Sequence, residues 1–72
     1  MKIESFEIKH GQYLEVVFNK GIICYNLKKI SQVVEISIDK RAVWFHTRPE
    51  KLEADFDLTP IIEAWELANL EK

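Results

Sequence analysis

"YLEVVFNKGIICYN", residues 13–26, decides the fold. Up to Asn19 the stretch alternates, with Leu14, Val16 and Phe18 on one face and Tyr13, Glu15, Val17 and Asn19 on the other. That is the period of two that a strand imposes. Asn19-Lys20-Gly21 then interrupts the pattern with residues suited to a type I turn followed by a left-handed glycine. Alternation resumes in "IICYNL", 22–27, where Ile23, Tyr25 and Leu27 oppose Ile22, Cys24 and Asn26. The two runs therefore predict an antiparallel hairpin, and because neither face of the second run is plainly polar, both faces of it are expected to be covered. A β-branched residue at Gly21 would damage this turn, since such side chains tolerate positive φ badly.

The same alternation extends on both sides of the hairpin. Upstream, "SFEIK" (5–9) sets Phe6 and Ile8 against Glu7 and Lys9, and "HGQ" (10–12) supplies a turn. Downstream, "KKIS" (28–31) breaks the pattern before "QVVEISI" (32–38), a strand with Val34, Ile36 and Ile38 on one face. Asp39-Lys40-Arg41 closes a second hairpin into "AVWFHTRPE" (42–50). There Val43, Phe45 and Thr47 share one face, and Trp44, His46 and Arg48 share the other. "KLEADFDL" (51–58) alternates Leu52, Ala54, Phe56 and Leu58 with Glu53, Asp55 and Asp57. It reads as a short edge strand whose carboxylates discourage pairing with another chain.

Thr59-Pro60 marks the start of a helix, because Thr can cap free backbone amides and Pro suits the first helical position. The helix is expected over about 60–71, with Ile61, Ala64, Trp65 and Ala68 on one stripe and Ile62 at its margin. Leu67 and Leu70 fall on the opposite side, among Glu63, Glu66 and Glu71. The expected fold class is α+β: a small antiparallel meander of about five to six strands within residues 2–58, curled or barrel-like, with one C-terminal helix packed on it. Residues 1–72 make a single domain in this reading. The element order resembles chromo-like and SH3-like barrels, which would let Tyr13, Tyr25 and Trp44 form an aromatic cage, but a resemblance of fold alone carries no function.

Composition narrows the function classes. A chain of 72 residues buries only about 60% of its unfolded surface. With 47% apolar residues, 31% charged residues and a full set of aromatics (Phe 4, Tyr 2, Trp 2), it nonetheless has the bulk to fold. The net charge of −2 and a pI near 5.6 lack the basic excess of most non-specific nucleic-acid binders, leaving only a local basic patch open. Cys24 stands alone, so no disulfide can form within the chain, and a single thiol suits a reducing compartment. Met1-Lys2-Ile3-Glu4 leads straight into alternating residues without an apolar signal core, and "GIICY" (21–25) is far short of the ~20 residues of a membrane span. A cytoplasmic protein with no membrane partner is expected.

Chemistry finds few footholds. A thiol nucleophile would have to be Cys24 with His10 or His46 as base, but inside "IICYN" the cysteine reads as a small buried core residue. One Cys and two His in unrelated segments fall short of a zinc set, so no metal or cofactor is expected. Glu53, Asp55 and Asp57 could share a cation or a proton, and read instead as a solvated edge. Gly11 and Gly21 are isolated and make no phosphate loop. No catalytic residue is assigned, no small-molecule substrate is expected, and a small enzyme ranks third.

Two readings remain. In the first, the chain is a protein-interaction module that binds itself as a homodimer, or binds a partner protein, through Leu67, Leu70, Glu63 and Glu66 on the outer side of the helix. In the second, Lys40, Arg41, Trp44, His46 and Arg48 form an aromatic and basic surface for single-stranded nucleic acid. Against the second stands a packing role for Trp44, beneath the helix and near Trp65, with His46 and Arg48 at the rim.

Overall fold

The computed structural model describes residues 1–46 and 48–70. Thr47, Glu71 and Lys72 lie outside the described residues, and with them the expected facing of Thr47, the helix end at 71 and the place of Glu71. In chain order the elements are β1 (Ile3–Lys9), β2 (Tyr13–Phe18), β3 (Gly21–Asn26), a 3-10 turn (Leu27–Lys29), β4 (Val33–Glu35), β5 (Ala42–Phe45), β6 (Lys51–Glu53) and α1 (Thr59–Ala68). The class is α+β as expected, but the strands do not form one curled meander. They form two three-stranded antiparallel sheets, β1-β2-β3 and β4-β5-β6. The division falls after β3, where the Asn26 side chain accepts a hydrogen bond from the Lys28 amide at 3.1 Å and the chain enters the 3-10 turn. Such a local side-chain bond ends a strand by giving the backbone another partner.

The sheets meet at one corner. Lys2 bridges Glu53 in parallel, the Met1 amino group donates to the Lys51 carbonyl at 2.8 Å, and the Glu53 amide donates to the Met1 carbonyl at 2.8 Å. Between Ile3 and Ser5 the register with β2 slips, a bulge that brings Ile3 and Phe6 inward although they differ in strand parity. At the other end of β1, His10 (φ 56°) and Gly11 (φ 67°) turn the chain, closed by Gln12 donating to Lys9 at 3.2 Å. Two central residues at positive φ suit a two-strand turn, and His10 accepts the strain that Gly11 avoids.

In the hairpin of residues 13–26, Leu14 pairs with Tyr25 and Val16 with Ile23, which turns the large apolar side chains of both strands inward. Gly21 has positive φ, at 152°, the side of φ that the turn was expected to demand of it. Cys24 is exposed rather than buried: it pairs with Glu15 on the outer face, because its parity is opposite to that of Tyr25. Cover on both faces of β3 is therefore not found, and Ile22 stands 61% exposed.

The second sheet is shorter than its sequence pattern. β4 ends at Glu35, since Ser37 to Lys40 form the turn: Lys40 donates to Ser37 at 3.2 Å, and the Arg41 amide donates to Ser37 Oγ at 3.0 Å. The face with Val34 and Ile36 turns outward beside Trp44, and Ile38 is fully exposed at the turn. β6 ends at Glu53, after which Ala54 donates to Arg41 at 2.9 Å and Leu58 to Lys40 at 2.7 Å, wrapping the segment around the base of the turn. Its alternating pattern survives this change, with Leu52, Ala54 and Leu58 buried and the three acids exposed.

Thr59 does not cap the helix but begins it, the N-cap being Leu58 without a side-chain cap; one residue earlier the Asp57 carboxylate accepts from the Thr59 amide at 2.8 Å and from its hydroxyl at 2.5 Å. Pro60 sits in the first turn as expected. Ile61 and Ile62 are buried, and Ala64, Trp65 and Ala68 pack against the core. Two side chains tie the helix to the segment after β3. Trp65 Nε1 donates to the Ile30 carbonyl at 2.7 Å, and Asn69 Nδ2 donates to the Leu27 carbonyl at 3.0 Å. Asn69 also donates to Trp65 at 2.8 Å and so stops the helix at Ala68 by satisfying one of its last carbonyls. The buried residues form one cluster, with Tyr25 and Phe45 edge-to-face at 4.9 Å across the two sheets.

Candidate interaction site

α1 has two faces because each residue turns about 100° around the axis. With Ile61 and Trp65 held inward, Leu67 and Leu70 emerge outward, 71% and 75% exposed. Ala68, on one flank of Leu67, leads toward Lys28 and the 10–12 turn. Glu63 lies on the same stripe as Leu67 and Leu70, with Glu66 at its margin. The four residues expected to bind a partner thus lie on one surface, and Glu63 and Glu66 make no ion pair among the described residues.

Beside the leucines lies an open groove of about 430 Å³, lined by the 10–12 turn, Lys28, Leu67, Ala68 and Leu70. Lys28 and Lys29 are both exposed. The surface therefore carries exposed leucines and carboxylates, with Lys28 at the groove beside them. The groove is not legible in the sequence, because a tertiary contact, Asn69 to Leu27, brings the 3-10 turn beside the end of the helix. A second open depression, about 540 Å³, is lined by Lys2, Ile3, Glu4, Asn19, Asp55 and Phe56, with Lys2 paired to Asp55 at 2.8 Å across it.

The five residues of the aromatic and basic surface separate into two groups. Trp44 lies on the outer face of its sheet, opposite Val34 and Lys51, and is absent from the core cluster. The packing expected beneath α1 belongs to Trp65 alone. Trp44 Nε1 donates to the Arg48 carbonyl at 2.7 Å, and its ring meets His46 edge-on at 5.6 Å. Lys40 and Arg41 stand beyond the opposite end of β5 among acids, with Arg41 3.9 Å from Asp39 and Asp57 close enough for both cations to hold its carboxyl down. The Asp57 carboxyl is lowered first by the Thr59 hydroxyl and then by the Thr59 amide, which favour its charged form.

The Arg48 guanidinium lies over the Tyr25 ring, 5.8 Å from its centroid. The Tyr25 hydroxyl donates to Glu50 at 2.5 Å. Burial, reinforced by that carboxylate, pushes the phenol above the ordinary tyrosine range. Tyr13 and Tyr25 cannot join in a cage, because Tyr25 pairs with Leu14 and shares its inner face, while Tyr13 is outward. On the outer face Lys9 bridges Glu15 at 3.2 Å and Glu7 at 4.0 Å, and the hydrogen bond to Glu15 raises the lysine.

No group of three or more His, Cys, Asp or Glu side chains that could hold a metal comes together among the described residues. No described helix is long and apolar enough to cross a membrane. Compared with protein-family models, curated proteins and solved structures, the chain matches none of them.

Proposed function

We propose that this chain is a small non-enzymatic protein-interaction module that docks through the outer face of α1. The observation that carries the reading is the exposure of Leu67 and Leu70, 71% and 75%, on a helix whose opposite face already closes the core. Large apolar side chains left side by side in water favour association, and the groove next to them offers a partner relief as well as a surface. Glu63 and Glu66 supply a polar rim that would set the orientation of a partner.

The nucleic-acid reading keeps Trp44, His46 and Arg48 and loses the support of Lys40 and Arg41, which sit among carboxylates. The test pairs two changes. A photo-crosslinking side chain at Leu70 should trap a protein adduct that disappears on Leu67→Glu, while the circular dichroism spectrum is unchanged. An adduct that persists in Leu67→Glu sinks the docking face. Salt-sensitive oligonucleotide binding lost with Trp44→Ala and Arg48→Ala would favour the second reading instead.

A further inference from the structure

We propose that this chain pairs with a second copy of itself through the open edge of β3, strand against antiparallel strand, at a surface separate from the α1 face. The two sheets end in β1, β3, β4 and β6, and all of these edges but β3 are guarded. β1 carries a register slip between Ile3 and Ser5 and the charged residues Glu4, Glu7 and Lys9. β4 is 3 residues long and ends in Glu35. β6 is equally short, is charged at Lys51 and Glu53, and is bonded by Met1 and bridged by Lys2. Bulges, short lengths and charges are the devices that keep sheet edges from pairing. β3 has none of them: its 6 residues, GIICYN, include no charge and no proline.

The backbone of β3 specifies what covers it. The Leu27 amide donates to the Gln12 carbonyl at 2.7 Å, continuing the register that pairs Asn26 with Tyr13 and Tyr25 with Leu14. Hydrogen-bonded and non-hydrogen-bonded pairs alternate along an antiparallel ladder, so Tyr25, Ile23 and Gly21 spend their backbone groups on β2, whereas Ile22 and Cys24 turn theirs to the open edge. Among the described residues, neither Ile22 nor Cys24 makes a backbone hydrogen bond outside the sheet. Such a row of donors and acceptors is met by an added strand. β3 matches itself in this respect. With Ile23 opposite its twin on a two-fold axis, Ile22 of each copy faces Cys24 of the other, and each of these pairs exchanges both N–H···O bonds. In that register Ile22, 61% exposed, lies against the exposed Cys24 of the other copy. Lys20 falls opposite Asn26, so no like charges meet along the seam.

Sedimentation velocity in reducing buffer, together with amide exchange followed by NMR, tests the inference. The native chain should dimerise, and Cys24→Ser, which keeps every backbone group, should dimerise equally well. Cys24→Pro removes an amide that β2 does not use, so the fold should survive on this edge strand. It should weaken the dimer by roughly 5- to 140-fold, because one hydrogen bond is lost from each of the symmetry-related pairs. Pairing also leaves a signature in the native chain: as concentration rises, the Ile22 and Cys24 amides should gain protection, while those of Ile23 and Tyr25, already bonded to β2, change little. This alternating pattern decides the matter even should Cys24→Pro fail to fold. A native chain that stays monomeric to millimolar concentration overturns the inference, and so does a dimer in which the Ile22 and Cys24 amides gain nothing. A dimer lost on Leu67→Glu and indifferent to Cys24→Pro would assign self-association to the α1 face, overturning the β3 seam and leaving the docking reading of that face in place.

Discussion

Replacing Tyr25 with Phe removes one oxygen and leaves the rest of the packing in place. The ring is 2% exposed, stacks edge-on against Phe45 at 4.9 Å and keeps Arg48 above it at 5.8 Å, and phenylalanine can make both contacts. What disappears is the 2.5 Å hydrogen bond to the half-buried Glu50. A hydrogen bond to a charged group contributes about 1.5–3 kcal/mol. In a domain of this size each kcal/mol moves the melting midpoint by about 4–8 °C, so Tyr25→Phe should melt roughly 6–24 °C lower near pH 7. Circular dichroism melts of native and variant protein at one concentration measure the difference. The alkaline arm has its own sign. The folded phenol titrates above its ordinary value of 10.0, so its stabilisation is complete below about pH 10 and is lost as the pH climbs through the folded value. Phenylalanine has no such proton, and the two midpoints should converge above pH 10. A drop of less than about 2 °C at pH 7 would mean that water replaces the bond without loss, and the reasoning would fail.

The other predictions concern the helix and the turns. Leu67→Ala should leave the melting midpoint within about 0.5 kcal/mol of native, as for other exposed positions. It should weaken association through the proposed docking face by roughly 6- to 40-fold, since 71% of a leucine worth about 1.5–3 kcal/mol when fully buried is lost; an undiminished Leu70 adduct would contradict it. Trp65→Phe leaves the buried Ile30 carbonyl without the indole donor and should cost about 1–3 kcal/mol by urea unfolding. Gly21→Val has open space for its side chain but a φ of 152°, so a loss of about 1–3 kcal/mol is expected from backbone strain alone, and a neutral result would dismiss that strain. Asp57→Ala should lower the melting midpoint at neutral pH. Because the folded carboxyl titrates below its ordinary 3.8, the Asp57 contribution is present above that pH and fades as the pH falls through the folded value, so the difference should vanish in acid.

What could be read in advance depended on how local its cause was. The hairpin of residues 13–26 is set by parity and a two-residue turn, and the inward and outward stripes of α1 by a single periodicity, so both were legible. Leu67 and Leu70 followed from the same periodicity. Cys24 departs from its sequence reading because apolar neighbours on both sides suggest two-sided cover, whereas one residue of parity sends it outward. The strand expected over 32–38 was cut short by Ser37, whose hydroxyl serves the turn, and the one over 51–58 by hydrogen bonds to Lys40 and Arg41. Nothing nearby in the chain announces those partners. The division into two sheets and the groove beside the leucines have the same long-range origin, as does the placement of Trp44 on an outer face.

The corner where Lys2 meets Glu53 and Met1 meets Lys51 has a consequence in time. The earliest residues pair with ones about fifty positions later, so β1 and β2 can form a hairpin early, but the seam between the sheets must wait for the intervening chain. Joining segments so far apart spends loop entropy before any contact repays it, a feature that slows folding. Until that seam closes, Ile3 and Leu52 lack the shelter each has in the finished core, and the open edge of β6 can meet other chains. The seam, and not the local hairpin, is therefore the step at which folding and aggregation are expected to compete.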